Sequence, residues 1–343
     1  MLDDVLEFFV GMGDLLLGKK KEPDKDPISE EKSIYHSDQI KPIDYSWTPN
    51  SLAEFVGNES AKKLVRLNLR KIKEISAMHF LITASGKGVG KSTLAKIIGV
   101  ELNAHLSWHV GGSFNMDNLK KFLLCNESSG NLEILFIDEA HNLGMDKSFN
   151  PEILYPILEN WTIPMGSNPK VKPFVCILAT NKRSLLQKKF SPLCDRCSAD
   201  IILDDYLPDE IVTILKQFNN NVYKLDISNE VYKIIADNTR GVPRIALNFL
   251  ADFVICQDIK EVLDCHRIIK NGLTTTDILI LKSLIEVGKP CGIEGLSQIA
   301  GVTREDFEMM ENFLVRRGFL IRTPRGRLST EKSKLLLQEI KNG

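Results

Sequence analysis

The chain reads as an α/β protein: a parallel sheet covered by helices carries a phosphate-binding loop, and an all-helical segment and a small C-terminal unit follow it. Three observations predict this. From residue 47 to about 204, short apolar strands alternate with helical stretches, the pattern of a parallel sheet with crossover helices. A glycine-rich loop ending in Gly90-Lys91-Ser92 follows the first of those strands. From 205 to 270 only helical periodicity remains, and residues 271–343 read as three short helices and a hairpin.

The strands are placed at His79–Ala84, Glu133–Ile137, Phe174–Ala179 and Asp200–Leu203. Before them, residues 2–17 set Leu2, Val5, Leu6, Phe9, Met12 and Leu16 at helical spacing, although Gly11 and Gly13 weaken the helix. A polar, proline-containing linker then runs to residue 46. The N-terminal helix either packs on its own domain or docks a protein partner on a tether. Its acids Asp3, Asp4 and Glu7 disfavour a membrane surface.

Composition narrows the class. Apolar residues at 43% and charged residues at 26% are ordinary for a globular protein. A net charge of −1 gives no whole-chain field for nucleic acid, so a local patch must carry any such contact. The acidic start is no secretory signal, no apolar run reaches a membrane span, and the seven cysteines lack a repeating spacing. A reducing cytoplasm with free thiols is the expected setting.

The loop is Ser85-Gly86-Lys87-Gly88-Val89-Gly90-Lys91-Ser92, with Thr93 next in the helix that follows. Small residues let the backbone amides of Gly86, Gly88, Val89 and Gly90 turn toward phosphates, and the helix start adds its positive dipole end. Lys91 reaches the β- and γ-phosphates of ATP, and the Ser92 hydroxyl suits Mg²⁺. Ser85 stands where a glycine is usual. About 50 residues on, the apolar strand at Glu133–Ile137 ends in Asp138 and Glu139. Asp138 suits the Mg²⁺, and Glu139 suits a general base that polarises the attacking water.

Three further polar positions follow in order. The strand ending Ala179-Thr180-Asn181 offers Asn181 as a first sensor of the γ-phosphate, with Thr180 as the alternative. In Cys194-Asp195-Arg196-Cys197 no second cysteine pair follows at zinc spacing, and Arg196 fits a guanidinium that acts on a neighbouring subunit's ATP. Gly241-Val242-Pro243-Arg244 opens a helix and places Arg244 over the nucleotide from the helical segment.

These pieces, in this order, resemble the AAA+ ATPases, and most of all the RuvB family over roughly residues 47–335. Thr48–Asn58 is similar to the segment with which that family wraps adenine, and Phe136–Leu143 to its Walker B segment. Gly318-Phe319-Leu320-Ile321-Arg322-Thr323-Pro324-Arg325-Gly326-Arg327 is similar to its winged-helix string. The resemblance implies an ATPase core over 47–204, a helical lid over 205–270 and a winged helix over 271–343. It also implies a hexameric ring that encircles and pulls double-stranded or branched DNA. Three departures stand out, the first being that residues 1–46 have no counterpart in the family. Cys194 replaces an arginine usual in the family, and Thr162–Ser167 leaves little room for the β-hairpin that docks on RuvA, so a RuvA partner is not carried over.

Within the winged helix, helices are expected at 276–287, 293–300 and 303–317. The wing spans Phe319–Ser329 and turns at Arg325-Gly326-Arg327. From 316 to 334 seven basic residues face one acid, a local charge of +6. The cluster suits phosphate binding, with Arg322, Arg325 and Arg327 as the candidate DNA contacts, and the resemblance implies backbone contacts by Arg325 and Arg327 with little base readout. A protein-binding winged helix with solvated arginines is the other use of such a patch.

The leading reading is thus a motor that hydrolyses ATP between subunits and moves duplex or branched DNA. A second reading from another class is an ATP-switched loader or assembly factor that recruits an effector through residues 1–46. A clamp-loader-like subunit, argued from Asp195-Arg196-Cys197, is disfavoured by the winged helix.

Overall fold

The computed structural model describes residues 47–75, 78–164 and 170–342. The expected N-terminal helix and linker lie outside the described residues.

Five strands make one parallel sheet: β1 (Phe80–Ala84), β2 (His105–Val110), β3 (Glu133–Asp138), β4 (Val175–Thr180) and β5 (Ala199–Leu203), in the order β2-β3-β4-β1-β5. Around it lie α1 (Glu59–Ile75), α2 (Lys91–Glu101), α3 (Met116–Ser128), α4 (Leu154–Asn160) and α5 (Arg183–Asp195). The central strands are apolar along their length because both sheet faces are covered. Alternate residues serve opposite faces. Phe80, Ile82, Phe136 and Ile177 share one core with Leu94 and Ile98 of α2, whereas Leu81, Leu135, Ile137 and Leu178 pack with Phe122 of α3 and Leu186 of α5. Truncating the fully buried Phe136 to Ala costs about 3–5 kcal/mol.

The edge strand β2 is absent from the sequence-based placement. Its six residues, His-Leu-Ser-Trp-His-Val, include none that is fully buried, so no core stripe announces it. Its ladder with β3, from His105 beside Glu133 to Val110 beside Asp138, holds it in place.

After Leu203 the chain passes through Asp204, Asp205 and Tyr206 into α6 (Pro208–Asn221), α7 (Asn229–Asn238), α8 (Pro243–Cys256) and α9 (Ile259–Cys265). Their apolar faces, including Leu215, Ile235, Phe249 and Leu250, are continuous with the first sheet core. One correction applies to the segment read as helices only: β6 (Ile268–Lys270) pairs antiparallel with β7 (Leu273–Thr274). These strands of 3 and 2 residues are too short to show alternation in sequence.

The C-terminal unit contains α10 (Thr275–Val287), α11 (Ile293–Ala300), α12 (Arg304–Arg316), β8 (Leu320–Thr323), β9 (Gly326–Ser329) and α13 (Glu331–Asn342). It has its own core, with Leu281, Leu284, Phe307, Leu314 and Leu336 among its members. Helix α13 is a second element missing from the sequence-based placement. Of its apolar residues only Leu336 is buried, with Leu337 and Ile340 partly covered, and the other buried position is the polar Ser333, too narrow an apolar stripe to stand out. The wing also turns one step earlier than expected. Arg327 lies in β9 opposite Arg322, because its backbone exchanges hydrogen bonds with Cys291 at 2.8 and 3.0 Å.

Candidate nucleotide and DNA sites

The sheet order sets the site. Strand β4 lies between β1 and β3 and pairs with both, so the loop after β1, the acids ending β3 and the polar end of β4 emerge along one edge. Ligands of open parallel sheets gather at this carboxyl end. Helix α2 begins at Lys91, which places Lys91, Ser92 and Thr93 in its first turn.

The loop geometry depends on small residues. Gly88 has φ +79°, and a Cβ there would stand 2.7 Å from Cβ of Arg244. Any side chain at 88 therefore drives the lid arginine outward. The Lys91 ammonium donates to the Gly86 carbonyl at 3.3 Å. Burial lowers its pKa, opposed by the carboxylates of Asp138 and Glu139. Ser92 Oγ donates to Asp138 Oδ2 at 3.4 Å, and Asp138 Oδ1 accepts from the Glu139 amide at 2.8 Å. Glu139 itself sits in the left-handed region at φ +48°, a turn that carries its carboxylate off the strand direction.

These groups line a cavity of about 590 Å³. Lys87, Gly88, Gly90, Lys91, Ser92, Thr93, Asp138, Glu139 and Arg244, all within the sequence-identified motifs, line it together. Loop amides and a lysine fit a polyphosphate, and a hydroxyl and a carboxylate 3.4 Å apart are the hard oxygen donors that Mg²⁺ takes. Sequence reasoning missed Phe218, Tyr223, Leu247, Asn248 and Ala251, which line the same cavity from α6, the residues just after it and α8, together with Pro243 of the quoted motif. Their signal in sequence is ordinary helical periodicity, and only the docked lid turns them toward the loop. Thr48, Pro49 and Asn50, from the segment similar to an adenine wrap, line a different cavity of about 580 Å³.

At the end of β4, Asn181 Oδ1 is buried and has no hydrogen-bond partner among the described residues. The alternative sensor, Thr180, is fully buried and already engaged. Its hydroxyl accepts from the Lys182 amide at 3.0 Å and stands 2.8 Å from Nδ1 of His141. Arg196 does not line the cavity. It donates to the Tyr155 carbonyl at 3.0 Å, pairs with Glu159, and lies 5.1 Å from the centroid of the Tyr155 ring. Of the neighbouring thiols, Cys197 is buried and Cys194 half-buried, and burial raises both pKa values.

The wing arginines differ from one another. Glu311, 1% exposed, accepts from Arg322 Nε at 2.8 Å and from Arg327 Nε at 2.7 Å. Arg325 sits exposed at the turn and forms no ion pair among the described residues. Near the sheet, Thr162 and Lys170 form an antiparallel bridge, with 165–169 between them outside the described residues.

A sheet with this strand order, a phosphate loop after β1, paired acids after β3, a polar residue after β4 and an arginine from a helical lid define an AAA+ ATPase, here with a C-terminal winged helix. Comparison with known proteins narrows the class. The family model for the Holliday junction DNA helicase RuvB P-loop domain matches residues 47–203, and that for the RuvB C-terminal winged helix domain matches 270–338. The RuvB subunit of the Holliday junction branch migration complex from Thermotoga petrophila is 32% identical over 309 residues, covering 83% of this chain and 90% of that protein. Its counterpart from Fervidobacterium nodosum is 30% identical over 331 residues, covering 89% and 90%. The solved structure of the Thermotoga maritima RuvB branch migration motor superposes with a TM-score of 0.69 at 30% identity, covering 84% of this chain and 97% of that one. The chain belongs to the RuvB family of P-loop ATPases.

Proposed function

We propose that this chain is an ATP-driven motor that assembles as a homo-oligomeric ring, with a hexamer as the expected size, and moves double-stranded or branched DNA. The observation that carries the reading is the convergence of Lys91, Ser92, Asp138, Glu139 and Arg244 on one cavity in a chain that also ends in a winged helix. Lys91 and the loop amides hold the phosphates, and Ser92 and Asp138 hold Mg²⁺, which supplies charge neutralisation at the phosphate. Glu139 takes the proton of the attacking water, Asn181 orients that water, and Arg244 senses the nucleotide from the lid. Arg196, remote from its own cavity, serves the ATP of the adjacent subunit. Arg325 is the principal contact to the DNA backbone, with Arg322 and Arg327, both paired with Glu311, contributing less.

RuvA is not part of the reading, and a partner for residues 1–46 concerns a segment outside the described residues. A cytoplasmic setting belongs to the same proposal and is supported by free cysteines; among the described residues, no helix is long and apolar enough to cross a membrane. The test is a synthetic four-way junction labelled on one arm. The proposal expects ATP-dependent dissociation of the junction into duplex products without strand cleavage, abolished by Glu139→Gln. Dissociation that proceeds without ATP, or a junction that is bound but never dissociated, would reject the motor.

A further inference from the structure

Ser85 opens the phosphate loop where a glycine is usual, and its hydroxyl has a specific partner. Ser85 Oγ donates to Asp205 Oδ1 at 2.8 Å. The other carboxylate oxygen of Asp205, Oδ2, is ion-paired with Arg316, the last residue of α12 in the winged helix. One carboxylate thus joins the start of the nucleotide loop to the end of a winged-helix helix. Asp205 is only 16% exposed and Arg316 47%, so the link is partly shielded from solvent.

The surroundings make Asp205 a fixed post. The next residue, Tyr206, is buried, and its hydroxyl donates to the Val89 carbonyl at 3.2 Å, further along the same loop. Its amide donates to the Gly241 carbonyl at 2.9 Å. Gly241, at φ +73°, leads into the turn before Arg244, and a Cβ there would lie 2.4 Å from the Tyr206 carbonyl oxygen. Asp205 and Tyr206 therefore hold the phosphate loop at Ser85 and Val89, together with the approach to the lid arginine. Arg240, beside Gly241, pairs with the fully buried Asp277 and lies 4.3 Å from the centroid of the Phe313 ring on α12. Helix α12 is thus tied to this segment at two points, Asp205 and Arg240.

We infer that Asp205 is a positioning residue that couples the winged helix to the nucleotide loop through Arg316 on one side and Ser85 on the other, so that DNA engaged by the winged helix alters nucleotide affinity. The coupling rests on the DNA-motor reading. Ser85 is what makes this route particular to the chain, because a glycine at 85 has no hydroxyl to receive the signal.

The experiment measures the affinity of the full chain for a non-hydrolysable ATP analogue, with and without a saturating blunt duplex, in the wild type and three variants. Asp205→Asn keeps an acceptor for Ser85 but loses the charge that pairs with Arg316. Ser85→Ala keeps the ion pair and loses the hydroxyl. Ser85→Gly restores the usual residue, with little risk to folding. Duplex binding is recorded separately for each protein. The wild type should show a duplex-dependent change in analogue affinity of at least about 5-fold, the low end of coupling between two sites. Asp205→Asn and both Ser85 variants should reduce that factor to near 1 while still binding duplex. Variants that fold, bind duplex and keep the wild-type factor overturn the relay and leave the motor reading standing. A wild type that binds duplex with no change in analogue affinity overturns the relay. A wild type that binds no duplex overturns both.

Discussion

Nδ1 of His141 lies 3.4 Å from a carboxylate oxygen of Glu139 and 2.8 Å from the hydroxyl of Thr180. His141 is 4% exposed, so its ring is fixed between the acid that ends β3 and the end of β4. Burial lowers its pKa, with the Glu139 charge opposing, and the ring is neutral at pH 7. His141→Phe removes the ring nitrogen that stands beside the Glu139 carboxylate but keeps the volume. Turnover should fall about 10-fold, about 1.4 kcal/mol of lost orientation, with ATP affinity little changed. Below the ordinary imidazole value, protonation pairs the ring with the Glu139 carboxylate, so turnover should also fall on the acid side. Steady-state kinetics across pH, with separate nucleotide binding, checks both.

The position of Arg196 away from its own cavity predicts complementation. Arg196→Ala should bind ATP but lose hydrolysis, whereas Lys91→Ala should lose hydrolysis through loss of nucleotide binding. Mixed rings should regain activity, because the Lys91→Ala subunit still offers Arg196 to an intact neighbouring site. Two inactive proteins that stay inactive when mixed, despite forming rings, place the role of Arg196 elsewhere.

The wing arginines are not equivalent. Arg325→Ala should weaken duplex binding and lower the salt dependence of affinity by about one counterion. Arg327→Ala leaves the buried Glu311 with one partner fewer and should cost about 1–3 kcal/mol of stability, read by denaturant unfolding. Equal loss of DNA affinity in the two variants, with no loss of stability at 327, would contradict this assignment.

His79 predicts a pH-dependent stability. Its Nδ1 accepts from the Cys176 amide at 3.0 Å, so the proton on Nε2 goes to the Leu158 carbonyl at 3.0 Å. Burial drives its pKa down from 6.5 to about 4, despite the backbone bond. The unfolded chain binds a proton in that window and the folded chain does not. This contribution is therefore complete above pH 6.5 and is lost as pH falls toward 4, roughly 3 kcal/mol in all. Its imidazole resonance should keep the neutral position through the range in which exposed histidines titrate.

The motif residues were legible because phosphate chemistry dictates them locally: Gly88, Gly90, Lys91 and Ser92 in one loop, and Asp138 and Glu139 at the end of one apolar strand. The central strands were legible because both faces are buried. Strand β2 was not, since Trp108 and Val110 face outward and only its ladder with β3 defines it. The roles of Phe218, Tyr223 and Asp205 were equally silent. Each depends on how the lid and the winged helix pack against the loop, and no spacing in the chain encodes that. The positive count along the wing misled in one respect. Glu311 lies outside the counted stretch and holds two of the seven cations.

The central claim is most directly tested by steady-state ATP hydrolysis with and without duplex or four-way-junction DNA, using Glu139→Gln as the blank. The account predicts hydrolysis that DNA stimulates strongly, with the stimulation lost in Arg325→Ala. Hydrolysis that is weak and indifferent to both DNAs would contradict a motor, and would point instead to an ATP switch.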